Sequence, residues 1–308
     1  MKQHTRHIAM VRPMAFGYNE QTAANNYFQK KESTVFNVHE LALKEFDTMV
    51  ALLKSNGIDV LVLQDSVSPP KPDAIFPNNW FCCNNGLIQL FPMYAPNRRL
   101  EKHKQIIEAI RSKTGVLLLK DWSAYEEKNM FLEGTGSMVI DYVFNIAYAC
   151  ISARTNKELF ELFCKENNYL PISFEAADAG GNEIYHTNVM MALANVMMAL
   201  GEKIAVVCLA AVKNEIEKTK LLHELQTTGH QIVDISFEQM NHFAGNMLEL
   251  INNKNERLMV MSKQAYSALT PQQIATIEQY NRIITPDIGS IENIGGGSVR
   301  CMMAELFY

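Results

Sequence analysis

Gly295-Gly296-Gly297-Ser298-Val299-Arg300-Cys301 is a glycine-rich turn that runs straight into a lone cysteine, and the apolar run Met302-Met303-Ala304-Glu305-Leu306-Phe307 follows it. Three successive glycines let another group approach the backbone closely and leave no side chain to shield what comes next. Arg300, beside the thiol, is a cation placed to favour the thiolate, the reactive form of cysteine. Taken alone, the stretch reads equally as a loop into a terminal strand with a buried cysteine. The partners that a reactive cysteine needs have to come from the rest of the chain.

Of 308 residues, 48% are hydrophobic and 20% charged, with a net charge of -5. That is ordinary for a globular chain, and the length allows one large domain or two. No Pro/Gly/Ser-rich linker divides the sequence, so one domain over residues 1–308 is expected. No basic block is present, which argues against nucleic acid as a partner. Residues 1–13 lack the apolar core of a signal peptide. The longest apolar run, from Val189 to Leu200, falls short of the roughly 18 residues a membrane span needs. Cys82, Cys83, Cys150, Cys164, Cys208 and Cys301 form no CxxC pair, which points to free thiols in a reducing cytoplasm and to no bound metal.

Strands are predicted at Ile8–Val11 and Ile58–Leu63, with a helix from Val38 to Asn56 between them and Gly57 as its cap. Phe16 to Lys31 is rich in Asn and Gln, too polar for core, and suits a loop covering a site. Asn84-Asn85-Gly86 between Trp80–Cys83 and Leu87–Phe91 signals a hairpin. Arg98–Arg111 reads as one helix, followed by a strand at Val116–Leu119. Further strand pairs are predicted at Met138–Ile140 with Val143–Ala149, and at Val189–Met191 with Val196–Ala199. Helices at Asn156–Lys165, Val212–Thr227 and Pro271–Gln279 alternate with strands at Ile204–Leu209, Gln231–Ile235, Met247–Leu250, Leu258–Met261 and Arg282–Ile284. A unit of two strands, a helix and one strand thus recurs roughly every 60 residues, which gives an α/β or α+β fold of repeated units without a sequence repeat.

His186 follows Gly180-Gly181 and sits at the mouth of an apolar strand; beside a reactive cysteine it is a candidate acid/base. Glu133, between Phe131-Leu132 and a glycine turn, could orient that histidine, or be a plain turn residue. Asp73 in a proline-rich loop could bind a nitrogen-rich group, although Asp suits loops anyway. Arg98 and Arg99 open a helix, a mildly unfavourable place for a cation, which suggests a task such as holding a carboxylate. Arg154 follows a strand and precedes a helix, and its spacing alone favours an ordinary solvated loop residue. His4, His7, His39, His103, His223 and His230 look like surface residues.

The ordered series Asp73, Arg98, Glu133, Arg154, His186, Cys301 resembles the guanidine-modifying branch of the pentein superfamily, over nearly the whole chain. That branch holds arginine deiminases, dimethylarginine dimethylaminohydrolases, amidinotransferases and citrulline-utilisation hydrolases. The likeness is greatest to the last group, through Met10-Val11-Arg12-Pro13 with Phe16-Gly17-Tyr18-Asn19, through Phe76-Pro77-Asn78-Asn79-Trp80, and through the terminal glycine–cysteine motif. The resemblance implies a five-bladed α/β propeller of ββαβ units with a central site. It makes Cys301 the nucleophile, His186 the acid/base and Glu133 the carboxylate that engages histidine or substrate. It makes Asp73 a substrate-binding acid, and Arg98 and Arg154 ligands of an α-carboxylate. It implies no cofactor, a small amino-acid substrate, and leaves a homodimer open.

Asn79 and Asn188 stand where many relatives carry aspartates that pair with a guanidinium. An amide matches the donors and the carbonyl of a neutral ureido group. The reading is therefore a hydrolase that converts citrulline to ornithine, ammonia and carbon dioxide, with Asn79 and Asn188 among its substrate-binding residues. The alternatives are an arginine deiminase or dihydrolase, a dimethylarginine hydrolase, or an amidinotransferase. A non-catalytic binding protein, such as the ribosomal anti-association factor of the same fold, fits the Cys-His-Glu series poorly.

Overall fold

The computed structural model of the chain describes residues 3–31, 37–194 and 203–308. Among these, fifteen strands form five three-stranded sheets arranged as the blades of a propeller. In each blade a pair of antiparallel strands is followed by a third strand parallel to the middle one. A parallel neighbour cannot be reached by a tight turn, so a helix crosses over before each third strand. These helices are Val38–Ser55, Lys104–Thr114, Lys157–Asn167, Glu215–Thr227 and Pro271–Glu278.

The second blade holds Phe81–Asn84, Leu87–Leu90 and Leu118–Asp121, and the third Met138–Asp141, Ile146–Ile151 and Leu170–Glu175. The fourth holds Met191–Ala194, Lys203–Val207 and His230–Asp234, and the fifth Leu248–Ile251, Arg257–Val260 and Arg282–Ile284. The first blade joins the two ends of the chain: Ala304–Glu305 pairs antiparallel with His7–Arg12, which pairs in parallel with Asp59–Gln64. Ile8 opposite Glu305 and Ala9 opposite Ala304 close the ring. Apolar clusters fill the gaps between neighbouring blades: Val11 and Leu63 meet Ile88 and Leu90, and Phe91 and Trp122 meet Ile140 and Ala149.

Local sequence explains the elements that were legible. Asn85 and Gly86 both take positive φ, 51° and 70°, as a two-residue hairpin turn twisted with its strands requires. The helix Val38–Ser55 buries Phe46, Met49, Val50 and Leu53 on one face.

Four expectations need correction. Arg98–Arg111 is two helices, Pro96–Arg99 and Lys104–Thr114, because Glu101 folds back onto Arg98 and the backbone turns between them. Val189 belongs to a helical turn, Thr187–Met190, and the strand begins at Met191; the expected partner at 196–199 lies outside the described residues. His230 is buried, with Nδ1 2.8 Å from Thr228 Oγ1. Asn19, Thr22 and Asn26 of the polar segment are also buried, since their side chains find hydrogen-bond partners. The strand Leu170–Glu175 went unrecognised.

The blades approach so closely at the centre that two backbone positions exclude a side chain. A Cβ on Gly245 would fall inside contact distance of Val189 O and 2.8 Å from the Met190 carbonyl carbon. A Cβ on Gly134 would strike Asn78 O, at a backbone φ of +49°. Gly245→Ala should therefore lower stability by about 3 kcal/mol in urea titration. Gly229→Ala, at φ +81° with nothing within 4 Å, should cost about 1 kcal/mol. Equal losses would refute the crowding.

Candidate active site

Each blade's innermost strand is preceded by a short turn, and these turns meet at the hub. They are Pro77–Asn79, Gly134–Ser137, Thr187–Met190, residues 243–246 and Val299–Met302. Asn79, Glu133, His186, Asn188, Asn246 and Cys301 all lie on them or one residue before. Residues far apart in sequence thus arrive at one point because the same structural position recurs in every blade.

Cys301, His186, Asp73, Asn79, Arg98 and Arg154 line one narrow central cavity, with Gly295, Gly296 and Gly297 forming part of its wall. Cys301 is 3% exposed, on a turn whose backbone N–H donates to Ser298 O at 3.0 Å. Ser298 Oγ donates to Glu292 Oε1 at 2.5 Å, and Gly296 N–H to Glu292 O at 3.0 Å. Glu292 thereby fastens both ends of the bare glycine arch. Burial pushes its carboxyl up to about 7, against hydrogen bonds from Ser262 and Ser298.

The charge centre is Glu133, with no exposed surface. Its Oε2 lies 2.8 Å from His186 Nε2, its Oε1 accepts Tyr94 N–H at 2.9 Å, and Arg154 Nη1 stands 3.7 Å away. Burial pushes this carboxyl up, but the Arg154 charge, the His186 hydrogen bond and the Arg98 charge together hold it down at about 2. Burial lowers His186 to about 4, although the Glu133 bond works the other way. The pair at neutral pH is a carboxylate and a neutral imidazole. Nε2 then carries the hydrogen toward Glu133, and Nδ1 keeps a lone pair that can take a proton.

Asp73 is buried, with Oδ2 accepting from Asn19 Nδ2 at 2.8 Å and Thr22 Oγ1 at 3.1 Å. Burial raises its pKa, against the Arg98 charge and those two hydrogen bonds. Its Oδ1 has no hydrogen-bond partner.

The two arginines differ. Arg98 places Nε and Nη2 on the two oxygens of Glu101, each at 2.9 Å, and donates through Nη1 to Asn79 Oδ1 at 2.7 Å and through Nη2 to Phe76 O at 3.0 Å. Its bidentate carboxylate is therefore one of the chain's own, and Glu101 is a partner that sequence reading missed. Arg154 stacks over the Tyr185 ring and donates through Nε to Asn25 Oδ1 at 2.9 Å and through Nη2 to Thr22 O at 3.0 Å. Both acceptors belong to the polar segment, which also covers the glycine arch: Asn26 Nδ2 donates to Gly296 O at 3.2 Å, and Gln29 Nε2 to Gly295 O at 3.0 Å.

Arg300 does not serve the thiol. Its guanidinium points the other way, donating to Met303 O at 2.9 Å and Glu305 Oε2 at 2.8 Å. The donors that reach Sγ are amides, Asn246 Nδ2 at 3.3 Å and Asn188 Nδ2 at 3.5 Å. Asn246 was not singled out in the sequence; the signal would have been its place just before an apolar strand, shared with Asn79. Burial pushes the other five thiols up, Cys83 and Cys208 to about 11, Cys150 and Cys164 to about 12, and Cys82 further. Those five stay protonated at neutral pH. No group of three or more His, Cys, Asp or Glu residues arranged to hold a metal occurs among the described residues.

Solved structures share this architecture. The N-terminal domain of ArgZ, an arginine dihydrolase from the ornithine–ammonia cycle in cyanobacteria, bound to its substrate, superposes with a TM-score of 0.73 at 14% identity, covering 97% of each chain. Against full-length ArgZ the TM-score is 0.72 at 14% identity, and the match covers 97% of this chain but 40% of that one. A dimethylarginine dimethylaminohydrolase in adduct with 4-chloro-2-hydroxymethylpyridine gives 0.65 at 16% identity, covering 98% of this chain and all of the other. At such identities the likeness speaks for the fold, the five-bladed ββαβ propeller of the penteins. No curated protein sequence matches significantly. The profile described as N,N dimethylarginine dimethylhydrolase, eukaryotic, matches residues 12–308, and the chain belongs to that family of pentein hydrolases of guanidine-type carbon–nitrogen bonds.

Proposed function

We propose that the protein hydrolyses the terminal guanidino or ureido carbon of a free amino acid, and that a guanidinium, arginine or a methylated arginine, is its first substrate. The observation that carries this reading is Asp73 Oδ1, a buried carboxylate oxygen without a hydrogen-bond partner on the residues that wall the cavity with Cys301. Asn188, expected to bind substrate, does not line this cavity; its Nδ2 reaches the sulfur from behind the wall and its Oδ1 is without a partner. A guanidinium offers donors and a positive charge, which suit an idle carboxylate oxygen. The amides that favoured citrulline are largely engaged: Asn79 Oδ1 by Arg98, Asn79 Nδ2 by Asn78 Oδ1 at 3.0 Å, and Asn188 Nδ2 by the sulfur.

In this reading Cys301 Sγ attacks the guanidino carbon and its proton passes to His186. The carbon–nitrogen bond breaks, its electron pair leaves on the amine, and His186 returns the proton to that amine. The leaving amine is ammonia or a methylamine, and the guanidino carbon stays on sulfur with the rest of the amino acid still bound to it through the chain nitrogen. Water then gives a proton to His186 and adds to the same carbon, the carbon–sulfur bond breaks, and its electron pair returns to Sγ. Citrulline departs. Glu133 keeps the imidazole oriented throughout. Arg154 is assigned to the substrate's α-carboxylate, whose two oxygens would replace Asn25 Oδ1 and Thr22 O on its fork; entry then goes with lifting of the covering segment. Arg98, with its fork on Glu101, is assigned to holding Asn79 and the Asp73 loop.

Citrulline itself is the second reading. Asp73 is the one carboxylate that lines the cavity among the described residues, and Arg98 and Arg154 line it too, so the wall carries no excess negative charge that would demand a cationic group. A second cycle on that carbon gives ornithine, ammonia and carbon dioxide.

Incubation with arginine, dimethylarginine and citrulline in separate reactions, with products identified by mass, is expected to show the released amine and citrulline or ornithine. Cys301→Ala should lose at least about 10³-fold in kcat while melting within a few degrees of wild type. Turnover by that variant, or inertness of the wild type toward all three, refutes the reading. A pH series tests the buried imidazole. Its folded value of about 4 lies below its ordinary 6.5, so the unfolded chain takes up a proton in that window and the folded chain does not. Stability should fall as pH drops from 6.5 to 4, by up to about 3 kcal/mol more in wild type than in His186→Gln. Parallel curves would place a charged imidazole in the fold.

A further inference from the structure

The nucleophile lacks the cation that its sequence neighbour promised, because Arg300 is bound to Glu305 and Met303 O. Something else must stabilise a sulfur that is 3% exposed. Asn246, with no exposed surface, is built for that task from three directions. Its Oδ1 accepts the backbone N–H of Arg300 at 3.0 Å. Its Nδ2 donates to Asn188 O at 2.8 Å and to Cys301 Sγ at 3.3 Å. The orientation of an amide is often ambiguous, but here it is fixed: the side that meets an N–H must be oxygen and the side that meets a carbonyl must be nitrogen. The face turned to the sulfur is therefore a donor. Asn188 Nδ2, at 3.5 Å, is a second and longer one.

A donor aimed at sulfur favours the anion over the neutral thiol, since hydrogen bonds to a charged acceptor are roughly twice as strong as those to a neutral one. We propose that Asn246 is a catalytic residue whose amide stabilises Cys301 as the thiolate, both before attack and when the carbon–sulfur bond breaks and the electron pair returns to Sγ. The Arg300 bond fixes where that thiolate stands, and the bond to Asn188 O couples it to the turn that carries His186. Asn188, expected to bind substrate, shares the role through Nδ2. The inference rests on Cys301 being the nucleophile, and its test is separable from the choice of substrate.

Asn246→Asp keeps the shape and the oxygen that holds Arg300 N–H, and replaces the donor facing sulfur with an acceptor. Alkylation of Cys301 by iodoacetamide at neutral pH, followed by peptide mass, should slow at least about tenfold, because only the thiolate reacts. With whichever substrate the wild type turns over, kcat should fall about a hundredfold while KM changes less than about threefold. Should circular dichroism find this variant unfolded, Asn246→Ser serves; its hydroxyl is too short to reach Sγ, and the same paired losses are expected. Wild-type alkylation with lowered kcat would make Asn246 a clamp on the turn and overturn the proposal, as would wild-type values of both. Slowed alkylation in a protein whose wild type hydrolyses none of the tested amino acids would uphold the thiolate role and refute the proposed substrate class.

Discussion

A buried carboxylate at the hub sets the terms for everything around it. Glu133 has no exposed surface, and an ion in that position is tolerated only if it is paired and fully hydrogen-bonded. Its partners come from four places in the chain: Tyr94 N–H just after the middle strand of the second blade, His186 on the turn into the fourth, and the charges of Arg154 and Arg98. Arg154 in turn reaches the covering segment, and Arg98 reaches Asn79 and Glu101. One ionised group thereby ties three blades, the cover and the imidazole into a single electrostatic unit. Losing Glu133 would strand a buried cation as well as free the histidine.

The repetition of the blade explains why chemistry gathers there. Five turns converge on the axis, so any polar residue placed just before an innermost strand points at the others. The same closeness forbids side chains at Gly134 and Gly245, where neighbouring backbones touch. The first blade differs because the chain closes on itself there: its innermost strand is Ala304–Glu305, from the end of the chain, and the turn before it carries Cys301. Cys301, the proposed nucleophile, is thus held at the seam of the ring, on the turn that leads into the strand closing it.

Periodic elements were readable, since a helix such as Val38–Ser55 shows its buried face every three or four residues and Asn85-Gly86 dictates its own turn. Leu170–Glu175 escaped because Leu170 and Glu175 are exposed and Pro171 interrupts the run. Repeated units were visible, but the propeller came from resemblance, because strand order around a ring leaves no local trace. In the site, Cys301, His186 and Glu133 could be placed by motif. Arg300 was misread because adjacent residues on a helical turn project in different directions, and its guanidinium found Glu305 instead. Glu101 and Asn246 were missed for the converse reason: each matters through a partner distant in space or hidden in an ordinary turn, and asparagine before a strand is common loop chemistry.

Of the six thiols, Cys301 alone is proposed to attack the substrate carbon. Acid quenching of the enzyme during turnover with arginine, then digestion and mass spectrometry, reads it directly. An added mass equal to the substrate less the released amine, on the Cys301 peptide alone and decaying as substrate is exhausted, is the expected result. A bare Cys301 peptide during active turnover, or the adduct on any other cysteine, would contradict it.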